Sequence, residues 1–245
     1  MDKLIYTALS GASHLMMEQQ ISANNLANVN TSGFRADMER AQSQQVAGRG
    51  FNTRFLSQEA SAGVDDGEGV AEKTDRPLDV SIQGAGYIAV LDDNGNETYT
   101  RNGNIQQDDQ GMLTINGHAV VGDNGPIMLP PNAIASFGSD GTISITPDDG
   151  DVTATMDVDR LKLVDIPVSN LAKNAQGMLV TADGAPAELN ENIRVQGGYL
   201  ESSNVSAVSE MMHSLSLNRQ FEAQIKMMKT AEDLSNAGNR LLRDS

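Results

Sequence analysis

Apolar positions recur at helical spacing at both ends of this 245-residue chain and at two-residue spacing between them. Over the first 28 residues, Ile5, Leu9, Ala12, Met16, Gln19, Ala23 and Leu26 step by 4, 3, 4, 3, 4 and 3. That is the seam of a coiled-coil-like helix. Small and polar residues fill its other faces, so the amphiphile is weak and one-sided. The stretch Asn24-Asn25-Leu26-Ala27-Asn28 lowers helix propensity. Thr31-Ser32-Gly33 then supplies turn chemistry before Phe34, so the helix is predicted to stop near Val29. The last 40 residues predict a second, longer helix. Val205, Val208, Met212 and Leu215 step by 3, 4 and 3, and Leu217, Phe221, Ile225 and Met228 by 4, 4 and 3. The short step from Leu215 to Leu217 offsets the two stripes, giving an apolar face that is broad or shifts along the helix. Ser203 or Asn204 suits its N-cap.

The region between reads as strands. Leu78-Asp79-Val80-Ser81-Ile82 alternates, Gly86–Leu91 is an apolar strand, and Asp92-Asp93-Asn94-Gly95-Asn96 is a turn into Glu97–Thr100. Asn-Gly recurs at 102–103 and 116–117, both suited to tight turns. Further strands are predicted at 112–115, 119–121, 127–129, 142–145, 157–164, 177–180 and 193–199. No βαβ rhythm occurs, so the domain is antiparallel and sandwich- or barrel-like. Residues 35–75 lack a clear period and predict an extended connector or a poorly ordered loop. The fold class is α+β: terminal helices (1–34 and 200–245) packed as a coiled-coil-like pair, with an inserted antiparallel β-rich outer domain (76–199). Isolated helices are marginal in water, and a pair with surplus apolar stripe is unfinished. Neighbours from other chains would complete it, so polymerisation is expected.

Charge sharpens this division. Residues 61–200 carry 7 basic and 22 acidic side chains, whereas 1–60 carry five of each and 201–245 carry five and six. The formal net charge of −16 therefore sits almost wholly in the middle, as a solvated, self-repelling face. It argues against nucleic acid and against an anionic membrane surface. No secretory signal or membrane-spanning run is legible, and no Cys occurs, which removes disulfides, thiolate metal sites and Cys nucleophiles.

Candidate chemistry fails on spacing. Asp92-x-Asn94-x-Asn96 begins like a calcium loop, but Glu97 and Gly103 stand where Gly and a bidentate Glu are needed. A hairpin turn is the better reading. Gly84-x-Gly86 starts like a dinucleotide loop, yet Ala89 replaces its third Gly and no helix follows. His14, His118 and His213 are isolated, and the paired carboxylates lie in polar turns rather than in the apolar surroundings an acid–base pair needs. No catalytic residue, metal site or cofactor is assigned. The helix methionines Met16, Met17, Met211, Met212, Met227 and Met228 suit either core filling or an adaptable interface.

Four stretches together carry a family resemblance. Ala23–Arg35 (ANNLANVNTSGFR) resembles the N-terminal signature of the bacterial flagellar rod and hook proteins. Gly198–Val205 (GYLESSNV), Glu210-Met211-Met212 and Arg219-Gln220-Phe221-Glu222 resemble the C-terminal one. Leu78–Tyr87 and Tyr99–Gly103 resemble a shared central segment, and Gly117–Gly122 with Gly125–Pro130 is most similar to the proximal-rod branch. The distal-rod branch is the alternative within the family, and a soluble acidic β-domain binding module the alternative outside it. The resemblance implies a structural subunit that polymerises helically into a torque-transmitting shaft around an export channel. It further implies partners among other rod proteins and copies of itself, export by the flagellar type III apparatus without a cleaved signal, and a periplasmic place in the basal body. Neither nucleic acid nor membrane insertion is expected. The assembly interface it implies comprises Ile5, Leu9, Met16, Asn24, Asn25, Leu26, Asn28, Gly33 and Phe34 at the N-terminal end. At the C-terminal end it comprises Leu200, Glu201, Asn204, Val205, Met212, Leu215, Arg219, Phe221, Glu222, Ile225 and Met228.

Overall fold

The computed structural model describes residues 2–45, 55–130, 134–146, 155–174 and 176–243. The chain divides into two compact units, one of Met1–Ala27, Asp37–Gly63 and Ser206–Ser245, the other of Asn28–Ala36 and Val64–Val205.

In the first unit, helix α1 (Asp2–Ala27) packs against helix α2 (Ala207–Arg243). Gln19 Nε2 donates to Asn218 Oδ1 at 3.0 Å and Ser22 Oγ to the Glu210 carbonyl at 3.4 Å, while Gly11 lies beside Gln224. Rising numbers on one helix meet falling numbers on the other, so the pair is antiparallel. On α2 the inward stripe is Glu210, Ser214, Leu217, Phe221, Gln224, Met228 and Ala231, stepping 4, 3, 4, 3, 4 and 3, all buried or half-buried. The two offset stripes predicted for α2 thus give way to one continuous heptad seam drawn partly from other positions. On α1 the buried positions are Ala8, Ala12, Leu15, Ser22 and Asn25, whereas Leu9 and Met16 are exposed. The predicted α1 seam is rotated by about one residue. Small residues win the inner face because the helices approach closely there: a Cβ at Gly11 would lie only 3.2 Å from Gln224 Nε2. Leu217 and Phe221 on α2 supply the bulk instead.

Helix α1 ends at Ala27, where Asn28–Gly33 turns and Gly33 takes a positive φ of 66°. Helix α2 is capped by Ser206, whose Oγ accepts the Ser209 N–H at 3.5 Å. Ser203 and Asn204, the predicted caps, are engaged elsewhere. Strands β1 (Asp37–Gln45) and β2 (Phe55–Val64) pair with each other where the sequence shows no period.

The second unit is antiparallel throughout its paired strands. Strand β3 (Ala71–Lys73) pairs with Tyr199–Glu201, and β4 (Val80–Gln83) with Arg194–Gly197. Strands β5 (Tyr87–Leu91) and β6 (Glu97–Thr100) form the centre of a five-stranded sheet in the order Leu163–Val164, β5, β6, Leu179–Thr181, Leu171–Lys173. Ile88 and Val90 point into one apolar core with Val80, Ile105 and Leu113; Tyr87 and Ala89 point into another with Tyr99, Val164 and Leu179. Because successive side chains alternate between faces, burial on both sides explains why β5 reads as an unbroken apolar run. Met156–Arg160 and Leu163–Val164 are separate strands in different sheets, dividing the single strand predicted at 157–164. Ile127–Leu129 holds only an isolated bridge, Met112 to Met128, beside the short strand Gly125–Pro126.

Candidate assembly interface

The glycine-rich turns of the second unit bring the sequence signatures together around one carboxylate. Glu201 is buried and lies between two buried arginines. Arg101 donates through Nε to Glu201 Oε2 at 2.9 Å, with Nη2 2.7 Å from the same oxygen. Arg35 Nη1 approaches Oε1 to 2.7 Å, off the hydrogen-bonding line, and Arg35 Nε finds no acceptor among the described residues. The Gly69 N–H also donates to Oε1 at 2.8 Å, and Arg101 Nη1 to the Gly84 and Gly86 carbonyls at 2.7 and 2.8 Å. Burial lowers the Arg101 pKa, and the Glu201 charge beside it opposes that shift. Gly33 N–H donates to the Glu201 carbonyl at 2.8 Å. A Cβ on Gly33 would fall 2.3 Å from the Arg101–Asn102 backbone, so only glycine fits.

Asn204 completes this junction. Its Oδ1 accepts the Ala36 N–H at 2.8 Å, and its Nδ2 donates to the Asp65 and Gly67 carbonyls at 3.3 and 3.1 Å. One carboxamide therefore gathers three points at which the chain passes between units, next to residues 36, 64 and 205. Phe34 lies under Lys173, whose Nζ is 4.6 Å from the ring centroid and donates to the Arg35 carbonyl at 3.3 Å. Leu200 is half-buried in the strand opposite Glu72, and Val205 is half-buried.

The N-terminal asparagines have separate tasks. Asn25 is buried and binds the backbone of Asp37 through both ends of its amide. Asn28 Oδ1 accepts the Thr31 hydroxyl at 3.2 Å, closing the turn in the second unit. Asn24 is exposed and Leu26 half-buried; the Ile5 side chain lies outside the described ones. On α2, Phe221 and Met228 face the α1 seam, while Met212, Leu215, Arg219, Glu222 and Ile225 are exposed. Among the predicted interface residues, then, one set holds the chain together and another looks outward. Sequence reasoning passed over Arg35 and Arg101 as site residues, although both lie in the matching stretches. The usable signal was two arginines, each two residues from a glycine, within the matching stretches.

Asp92 Oδ1 accepts the N–H groups of Asn94 and Asn96 at 2.9 and 2.7 Å, making the loop a hairpin turn. Desolvation, the largest single influence, pulls its carboxyl upward, but the Asn96 and Asn94 hydrogen bonds together outweigh it and hold the pKa below the usual value. Among the described residues no group of three or more His, Asp or Glu side chains is placed to hold a metal ion. No described helix is long and apolar enough to cross a membrane.

Comparison with known proteins places these features. Three family profiles match along the chain: "Flagella basal body rod protein" over residues 5–35, "Flagellar hook protein FlgE/F/G D1 domain" over 81–153, and "Flagellar basal body rod FlgEFG protein C-terminal" over 196–241. The chain is 38% identical over 248 residues to flagellar basal-body rod protein FlgF of Escherichia coli, with 99% of both chains covered. It is likewise 38% identical over 249 residues to FlgF of Salmonella typhimurium, again at 99% coverage of each. Against flagellar basal-body rod protein FlgG of Bacillus subtilis it is 30% identical over 257 residues, covering 94% of this chain and 95% of that one.

Proposed function

This chain belongs to the flagellar basal-body rod family and is a structural subunit of the rod, and we propose that it polymerises helically through its terminal helices into the proximal part of that shaft. As a member of that family it assembles with other rod components in the basal body. The observation that carries the polymerising reading is the double-faced helix pair. Leu9 and Met16 on α1, and Met212, Leu215 and Ile225 on α2, stay exposed after the two helices have buried their mutual seam. Apolar side chains in that number, at helical spacing and turned away from their own core, favour burial against a neighbour. Identity of 38% to the FlgF proteins against 30% to a FlgG protein favours the proximal over the distal branch.

In this reading residues 1–34 and 200–245 build the inner tube and enclose the export channel, and the β-rich region 76–199 lies outside. The exposed residues Leu9, Met16, Met212, Leu215, Arg219, Glu222 and Ile225 make the contacts between subunits. The junction of Gly33, Phe34, Glu201 and Asn204 fixes the chain crossings within the second unit. Subunits leave the cell through the flagellar type III apparatus without a cleaved signal and assemble in the periplasm. Contacts that join unlike faces without closing a ring give an open helical filament.

Complementation of a strain lacking this protein tests the proposal. Deleting 1–34 or 205–245 abolishes incorporation into basal bodies and swimming. Ile225→Asp in the full chain blocks swimming while circular dichroism keeps its helical signal, since a charge forced into an apolar contact is costly. Swimming restored by either deletion overturns the reading.

A further inference from the structure

Two unpartnered apolar patches occupy different helices, different faces and different levels of the helix pair. On α2, Val208, Met211, Met212 and Leu215 are 70%, 50%, 67% and 60% exposed, about half a turn from the buried seam. On α1, Leu9 and Met16 are 53% and 59% exposed. They lie about 100° round the helix from buried Ala8 and Leu15, by helix geometry. Both patches span eight residues, from 9 to 16 and from 208 to 215, so their lengths match. The α1 patch lies in a stretch free of Asp, Glu, Lys and Arg, residues 4–17, and Met211, Met212 and Leu215 lie in another, 211–218, with Val208 on the far side of Glu210, which faces the buried seam. Depletion of charge at the centre is the compositional mark of an interface core.

We propose that the outer face of α2 around Val208–Leu215 binds the Leu9–Met16 flank of α1 on the next copy of this chain, head to tail. The inference rests on the polymerising reading above and specifies its contact. Antiparallel pairing sets Gly11 level with Gln224, so the α1 patch lies about 12 residues along the pair from the α2 patch, or about 18 Å at 1.5 Å per residue. Joining unlike patches at unlike levels shifts each copy along the helix axis, so two copies cannot satisfy one another and the contact propagates. Few side chains take part, and the area is on the order of several hundred Å², below the roughly 1,200 Å² of stable pairs. Free copies therefore remain monomers, and the contact forms when neighbours already hold the subunit in place.

The absence of native cysteine makes disulfide mapping unambiguous. A strain whose only copies are a mixture of Met16→Cys and Met212→Cys full-length chains is grown, and its isolated basal bodies are oxidised with copper phenanthroline. Disulfide-linked pairs joining position 16 to position 212 should exceed the linked pairs from strains carrying either variant alone by at least tenfold. Linked pairs of 16 to 16 or 212 to 212 in comparable amounts, or assembled chains with no 16–212 link, overturn the pairing. If the cysteine variants do not assemble, Met16→Lys and Met212→Glu report instead: each alone blocks incorporation and both in one chain restore it, whereas no restoration overturns the pairing. Absence of the unaltered chain from basal bodies would sink the rod reading itself, a separate outcome.

Discussion

Asn25 holds Asp37 by both ends of one amide: its Oδ1 accepts the Asp37 N–H at 2.8 Å and its Nδ2 donates to the Asp37 carbonyl at 3.0 Å. The side chain thus presents donor and acceptor in the pattern a neighbouring strand would, and satisfies a backbone pair at the start of β1. The structure thus gives this asparagine a backbone partner within the first unit.

Replacing that amide by a carboxylate separates the two hydrogen bonds. In Asn25→Asp the acceptor survives, but an oxygen now faces the Asp37 carbonyl with no proton between them. The expected loss is about 1–3 kcal/mol, the cost of a buried polar group left unsatisfied. Native-state hydrogen exchange at the Asp37 amide should accelerate at least tenfold, and an unchanged rate would count against the assignment.

Glu201 neutralises only part of the charge on two arginines, so removing its own charge leaves both guanidiniums uncompensated. Glu201→Gln should destabilise the second unit by about 3–5 kcal/mol, the usual loss on breaking a buried ion pair from one side. Urea unfolding followed by tyrosine fluorescence reports this without interference, because the chain has no Trp. A midpoint within error of the parent would show the triad to be dispensable.

Glycines at two positions differ in why they are needed. A Cβ on Gly103 would lie 1.5 Å from the Val80 carbonyl oxygen, whereas one on Gly84 meets nothing within 4 Å and is strained only by a φ of 78°. Gly84→Ala should therefore cost roughly 1 kcal/mol, from the left-handed backbone alone. Gly103→Ala should cost about 3 kcal/mol or more, because two backbone segments must part. Equal unfolding midpoints for the two variants would refute the distinction.

Tyr99 contributes to the alkaline limit of stability. Burial pushes its phenol up to about 12, with the hydrogen bond accepted from the Ala187 N–H acting the other way. The unfolded chain releases this proton near the ordinary value of 10, so the unfolded state binds fewer protons between pH 10 and 12. The contribution of Tyr99 is complete below pH 10 and is lost as pH rises through about 12. Absorbance titration should show a late phenolate step near pH 12 that Tyr99→Phe removes; a titration unaltered by the substitution would disprove it.

Much of this was legible from spacing. The alternation around Val80 and the run at Tyr87–Leu91 located β4 and β5, and the helical period located α1 and α2. Rotation of the α1 seam was not legible, because hydrophobicity ranks Leu9 and Met16 above Ala8 and Ser22. Close helix packing instead selects small residues for the inner face and leaves the large ones outside. Strands β1 and β2 were invisible because their Gln, Ser and Ala residues carry no alternation, and pairing of two backbones requires none. The junction was half legible: its residues stood in the matching stretches, but the meeting of Arg101 with Glu201, 100 residues apart, is a product of the fold.

The antiparallel helix pair joins the two extremities of the polypeptide, through bonds between residues 188 and 199 positions apart. A chain arriving amino end first therefore holds α1 without its mate until Leu217, Gln224 and Ala231 have also arrived. A fragment broken off before residue 217 would leave Ala8, Ala12 and Leu15 of α1 uncovered, so the helix pair closes only when both ends of one chain are intact.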